Sequence, residues 1–177
     1  RGGEKLKLAV ITGKDNHDSV IFPGKSCADP SLPENIKITE KNRGQVLEYY
    51  KDNPIIKNKD VDDVRKLKRL SIAPSNPYWS PILPASFDLS LFKGVPKKRY
   101  TGCDGREYMF YHRKRGCSYY DQFLAYFQAD VILYNSAKYK SELSIGRKPE
   151  TEIDIIDEAD EFLDGLFQQE EINLTRL

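Results

Sequence analysis

Ala129-Asp130-Val131-Ile132-Leu133-Tyr134 and, eighteen positions further on, Glu152-Ile153-Asp154-Ile155-Ile156-Asp157-Glu158-Ala159-Asp160 are the runs on which the fold class turns. The first is short, apolar and rich in residues suited to a pleated surface, so it reads as a strand. Ser136 to Leu143 between the two reads as a short helix. Glu152 to Ile156 reads as a second strand, and Glu161 to Gln169 as the helix after it. Strand–helix–strand–helix predicts a βαβ unit with parallel strands and a right-handed crossover.

Toward the N-terminus, Leu6-Lys7-Leu8-Ala9-Val10-Ile11-Thr12 is a further strand candidate, stopped by Gly13. Lys14 to about Pro33 has loop composition. Thr39 is placed to cap a helix running to about Tyr50, with Val46, Leu47 and Tyr50 as its apolar stripe. Asp60 or Asp62 could open another, carrying Val61, Val64, Leu67 and Leu70. Pro74, Pro77, Pro81, Pro84 and Pro96 then exclude long regular elements and predict an irregular crossing anchored by Trp79 and Phe87. The expected fold class is therefore α/β: a partial parallel-sheet lobe (residues 1–16 and 122–177) interrupted by an irregular, mostly helical insert (17–121).

With 39% hydrophobic and 31% charged residues in 177, a packed core is expected rather than gross disorder. No apolar run is long enough to span a membrane and no leader pattern opens the chain. The expectation is an intracellular, cytoplasmic protein without a membrane partner. A chain beginning at Arg1 rather than Met is expected to be an excised or trimmed piece.

The net charge of +1 hides two surfaces. Lys97, Lys98, Arg99, Arg106, Arg113, Lys114 and Arg115 face only Asp104 and Glu107 in the middle of the chain, whereas Glu150 to Glu171 holds carboxylates and no cation. The basic stretch is interleaved with Tyr100, Tyr108, Phe110 and Tyr111 and ends near Tyr119. That composition suits single-stranded nucleic acid, with cations for phosphates and ring faces for bases. It suits a solvated face over a small aromatic core equally well.

Asp157 and Glu158 follow an Ile-rich run. At the carboxyl edge of a parallel sheet, adjacent carboxylates can hold Mg²⁺ and orient an attacking water in a nucleotide-driven motor. The plainer alternative is an acidic helix start. A phosphate-cradling loop is missing, because Gly24-Lys25-Ser26 has Ser19 where the first glycine belongs. Cys27, Cys103 and Cys117 are odd in number and widely spaced, which argues against a secreted disulfide framework and leaves core thiols or metal ligands. A zinc site of three cysteines with His17 or His112 is one alternative.

Four segments in order resemble the iron–sulfur (XPD/DinG) DNA helicases, especially archaeal DinG-like members. They are Leu8 to Asn16, Gly116-Cys117-Ser118-Tyr119-Tyr120, Ala129 to Asn135, and Asp157-Glu158-Ala159-Asp160. The resemblance implies part of a RecA-like first motor lobe interrupted by an iron–sulfur domain, in an enzyme that unwinds DNA 5′→3′. It implies that Asp157 holds Mg²⁺ and that Glu158 positions water when ATP is bound in the intact parent. It implies a [4Fe-4S] cluster on Cys27, Cys103 and Cys117, with Asp18 or His17 as fourth ligand or the site degenerate. Implied partners are single-stranded or forked DNA and the remaining helicase domains: phosphate-loop part, arch and second motor lobe. The departures are three cysteines rather than the usual four, His17-Asp18-Ser19 where relatives carry the first, and Ser136 where many carry His. A non-catalytic nucleic-acid-binding module and a small nucleotide hydrolase using Gly24-Lys25-Ser26 are the rival readings.

Overall fold

The computed structural model describes residues 3, 5–57, 59–61, 63–87 and 92–164. Strand β1 (Leu8–Ile11) pairs in parallel with β5 (Val131–Tyr134), in the register Leu8↔Val131 to Ile11↔Tyr134. Side-chain clamps fix that register. The Asp130 carboxylate accepts from the Lys7 N–H at 2.7 Å, and the Gln122 amide both accepts from the Thr12 N–H and donates to the Thr12 carbonyl. Alternation along the two strands gives two unlike faces. Ile11, Ile132 and Tyr134 point into the core, while Leu8, Val10, Val131 and Leu133 are exposed.

The expected partner strand at Glu152–Ile156 does not form. Ile155 is 93% exposed, and the segment is held instead by polar contacts. The Lys148 ammonium donates to both Asp154 carboxylate oxygens at 3.0 Å and to Thr151 Oγ1 at 2.7 Å, tying the segment beside the end of α5 (Ser136–Ser144). The βαβ unit therefore stops after β5 and α5. Within the described residues the chain continues as α6 (Ala159–Asp164); the rest of the helix expected to Gln169 lies outside them.

The insert corrects a second expectation, because its centre is a sheet rather than helices. β2 (Ile82–Pro84), β4 (Glu107–Tyr111) and β3 (Lys97–Thr101) form an antiparallel sheet in the order β2-β4-β3. The β3–β4 connection carries Gly105 at φ +75, a left-handed position that suits glycine. Tyr108, Met109, Phe110 and Tyr111 are buried. Trp79 anchors the proline-rich crossing as expected; Phe87 is 53% exposed and does not.

Helix α1 (Arg43–Asp52) lies where its stripe predicts. Thr39 and Asn42 cap the 3₁₀ turn leading into it, and Val46, Tyr49 and Tyr50 are buried. The second expected helix breaks into a 3₁₀ turn (Val64–Lys66) and the single turn α2 (Arg69–Ile72); Asp62 lies outside the described residues. Its apolar residues join α1 in a small core of Ile36, Val46, Tyr49, Tyr50, Val64, Leu67 and Ile72. The larger core ignores the expected boundaries at 16/17 and 121/122. Ile11 packs with Cys27, Trp79, Phe110, Tyr119, Phe123 and Tyr126 in one aromatic cluster. The last three belong to the helical run α3 (Ser118–Asp121), a 3₁₀ turn (Gln122–Leu124) and α4 (Ala125–Gln128) that leads into β5.

Candidate nucleic-acid interface and cysteine pair

β3 is an edge strand that carries Lys97, Lys98 and Arg99, all exposed. Lysines on an edge discourage strand addition by another chain and leave charge available for other uses. Between the start of β3 and the loop after β4 lies a cleft of about 360 Å³, walled by Lys97, Lys98, Lys114 and Arg115 over Pro96 and Leu124. Lys98 Nζ stands 5.3 Å from the centre of the Phe127 ring, and Lys114 Nζ 4.7 Å from that of the half-buried Tyr78. Cations over ring faces beside open cationic side chains are the components of a single-strand site.

Other residues of the expected set serve elsewhere. Arg113 also lines the cleft, but its guanidinium is held by the protein: it donates to the carbonyls of Asn76 at 2.9 Å and Pro74 at 3.1 Å and lies over Phe92. Burial holds its pKa below the ordinary arginine value. Arg106 is tied to Asp104 within the β3–β4 turn, and Arg99 Nε stands 3.8 Å from Glu107 across the ladder. Tyr119 is not available to stack on a base. It is 7% exposed and packed edge-on against His17, Tyr120 and Phe123.

Asp157 and Glu158 are exposed, and no strand runs into them. Glu158 takes a left-handed conformation (φ 50), donates its N–H to Asp157 Oδ1 at 3.0 Å and accepts from the Phe162 N–H at the start of α6. Here the pair occupies an acidic helix start, rather than the carboxyl edge of a sheet. Gly24-Lys25-Ser26 does not form an open cradle either: the Lys25 ammonium donates to Ser31 Oγ and faces Asp29 at 3.5 Å.

The cysteines divide two and one. Cys27 and Cys117 are buried with their sulfurs 4.0 Å apart, and the Cys27 thiol also reaches the Asp18 carbonyl at 3.4 Å. Cys103 is exposed in the β3–β4 turn, its N–H bound to the Lys148 carbonyl at 2.7 Å. Among the described residues no three of His, Cys, Asp or Glu converge to hold a metal ion. Both His17 nitrogens are engaged, by Thr12 Oγ1 at 2.8 Å and Ser118 Oγ at 2.9 Å. Asp18 offers the pair its backbone carbonyl rather than its carboxylate. A cluster held by three or four side chains does not fit this arrangement. The hydrogen bond within the pair, with burial, pushes the Cys27 thiol up; the same bond and the N–H groups of Tyr120 and Tyr119 draw Cys117 down.

Glu34 escaped the sequence reading, since a lone glutamate in a loop carries no pattern. It is 8% exposed, and its charge acts on both Cys27 and Cys117. Oε1 accepts from Asn76 Nδ2 at 2.8 Å and from the Tyr120 hydroxyl at 3.4 Å, while Oε2 has no partner. Burial raises its pKa above the usual carboxylate range, so the folded state holds this proton more tightly than the unfolded chain. The associated stability is present below the unfolded carboxyl range, near about pH 4, and is lost as pH rises through the folded pKa. Glu34→Gln should therefore gain in melting temperature relative to the native chain between about pH 4 and pH 7. A pH-independent difference between the two melting curves would contradict this. No family model, curated protein or solved structure matches the chain.

Proposed function

We propose that this chain is the DNA-contacting, insert-bearing part of the first motor lobe of an ATP-driven DNA helicase of the iron–sulfur (XPD/DinG) type. The observation that carries the reading is the β1–β5 pair. Two strands separated by the whole insert meet in parallel and leave Leu8, Val10, Val131 and Leu133 uncovered on one face. Parallel sheets are normally buried on both faces, and two strands are too few to stand alone. Further strands and helices of a larger RecA-like lobe would meet both requirements. In such a lobe Asp157 would be the residue to hold Mg²⁺ and Glu158 the one to orient water, beside a phosphate cradle supplied by the remaining domains.

The basic cleft favours a second reading as a non-catalytic nucleic-acid-binding module. Both readings require DNA contact, and they differ in whether a motor is built around it. The residues do not fit a four-iron cluster, so neither reading is routed through one.

Neither reading gives turnover in the isolated chain, because nothing among the described residues cradles the phosphates that carry Mg²⁺. The expected result is retention of mixed-sequence single-stranded oligonucleotides, weakening steeply as salt rises, together with no measurable ATP hydrolysis. DNA-stimulated hydrolysis abolished by Lys25→Ala would replace both readings with a small nucleotide hydrolase. Absence of binding at low salt would remove DNA as the partner.

A further inference from the structure

We infer that Cys27 and Cys117 form a reversible intramolecular disulfide, a modification site that ties the start of the insert to its end. The observation is geometric. The two sulfurs come from segments 90 residues apart in sequence, both are buried, and they already lie in contact at 4.0 Å. Both sulfurs sit in fixed backbone. The Cys27 N–H is bound to the His17 carbonyl at 2.7 Å, and the Cys117 carbonyl accepts from the N–H groups of Tyr120 at 3.0 Å and Asp121 at 2.8 Å. Bond formation closes the remaining gap to about 2.05 Å by side-chain rotation and a small shift of the two loops.

The third cysteine does not compete, since Cys103 lies in the β3–β4 turn and joins no such group. The surroundings also favour a bond over a cluster, with the nearby histidine nitrogens engaged and the buried Glu34 held by Asn76 and Tyr120.

The co-reactant is a small hydroperoxide, able to reach thiols only 3–4% exposed. One thiolate attacks a peroxide oxygen. The O–O bond breaks, hydroxide leaves, and a sulfenic acid forms. The second sulfur gives up its proton and attacks the sulfenic sulfur, and the hydroxide that leaves takes that proton as water. The sulfurs lose two electrons, and hydrogen peroxide is reduced to two waters. A thiol such as dithiothreitol reverses the step by exchange.

The test treats the reduced full chain with hydrogen peroxide, then alkylates it under denaturing conditions and maps the peptides. The expected result is a mass lower by two hydrogens, alkylation at Cys103 alone, and a Cys27–Cys117 linked peptide that dithiothreitol releases. Closing so long a loop constrains the unfolded chain, so the melting temperature should rise by roughly 10 °C. Cys103→Ser, changed on the surface, should keep both the link and the shift; Cys27→Ser should lose both. Alkylation of all three cysteines, a link through Cys103, or a metal that a chelator must remove before the pair reacts would each overturn the inference.

Discussion

Glu142→Gln is expected to cost about 3–5 kcal/mol of folding stability. Glu142 is fully buried and stands one turn after Lys138 on α5, whose ammonium meets Oε1 at 2.6 Å. Arg147 closes on the same carboxylate with both arms, Nε to Oε2 at 2.7 Å and Nη2 to Oε1 at 2.5 Å, and the Tyr126 hydroxyl donates to Oε2 at 3.2 Å. The amide keeps the size and removes the charge, leaving Lys138 and Arg147 in low dielectric without their counter-ion. The consequence reaches the proposed interface, because the Arg147 carbonyl accepts from the Tyr100 hydroxyl of β3 at 2.8 Å.

Burial pushes the Glu142 carboxyl up, but the hydrogen bonds and charges of Arg147 and Lys138 outweigh it and hold the group below the usual range. The sign is then the reverse of Glu34. This contribution is present above the unfolded carboxyl range and is lost as pH falls through the lower folded pKa. Urea titrations of the two proteins at neutral pH, with unchanged slope, measure the loss. The gap between the two should narrow in acid, and a neutral-pH loss below about 1 kcal/mol would show the cluster to be dispensable.

Reversing Lys98, Lys114 and Arg115 to Glu should weaken single-stranded DNA binding at least roughly tenfold at low salt, whatever the sequence. It should also reduce the steepness of log affinity against log salt by about 2, the release expected from three lost phosphate contacts on a single strand. All three side chains are exposed on the walls of one cleft, so their reversal should leave the melting temperature nearly unchanged. Arg113→Ala makes the opposite prediction. It deletes donors to the Pro74 and Asn76 carbonyls, so it should destabilise the proline-rich crossing by about 1.5–3 kcal/mol. Its effect on DNA should disappear once the protein is kept folded. Equal binding by the triple variant would place the DNA path on another surface.

What the sequence by itself determined was local. The apolar runs at Leu8–Ile11 and Val131–Tyr134 became strands, and the Thr39 start with its Val46 and Tyr50 stripe became α1, because a run of this kind has few other ways to satisfy its backbone and hide its side chains. The β3–β4 hairpin was not read from the sequence, although Asp104-Gly105 stands as a turn between Lys97–Thr101 and Glu107–Tyr111. The charges of Lys97 to Arg99 drew the reading toward a binding surface instead of an edge strand.

Tertiary structure decided everything that depended on a distant partner. Glu152 to Ile156 has the composition of a strand, yet Lys148 and Thr151 hold Asp154 elsewhere and no strand among the described residues takes it up. Arg113 and Arg115 are the same residue type two positions apart. Both line the cleft, and only the carbonyls of Pro74 and Asn76, some 37–39 residues earlier, hold the first in a structural role while the second stays exposed. Cys27 and Cys117 meet across 90 residues while Cys103 stands apart. Spacing along a chain constrains neighbours within a turn or a hairpin, whereas contacts across such separations are set by how the whole aromatic core packs.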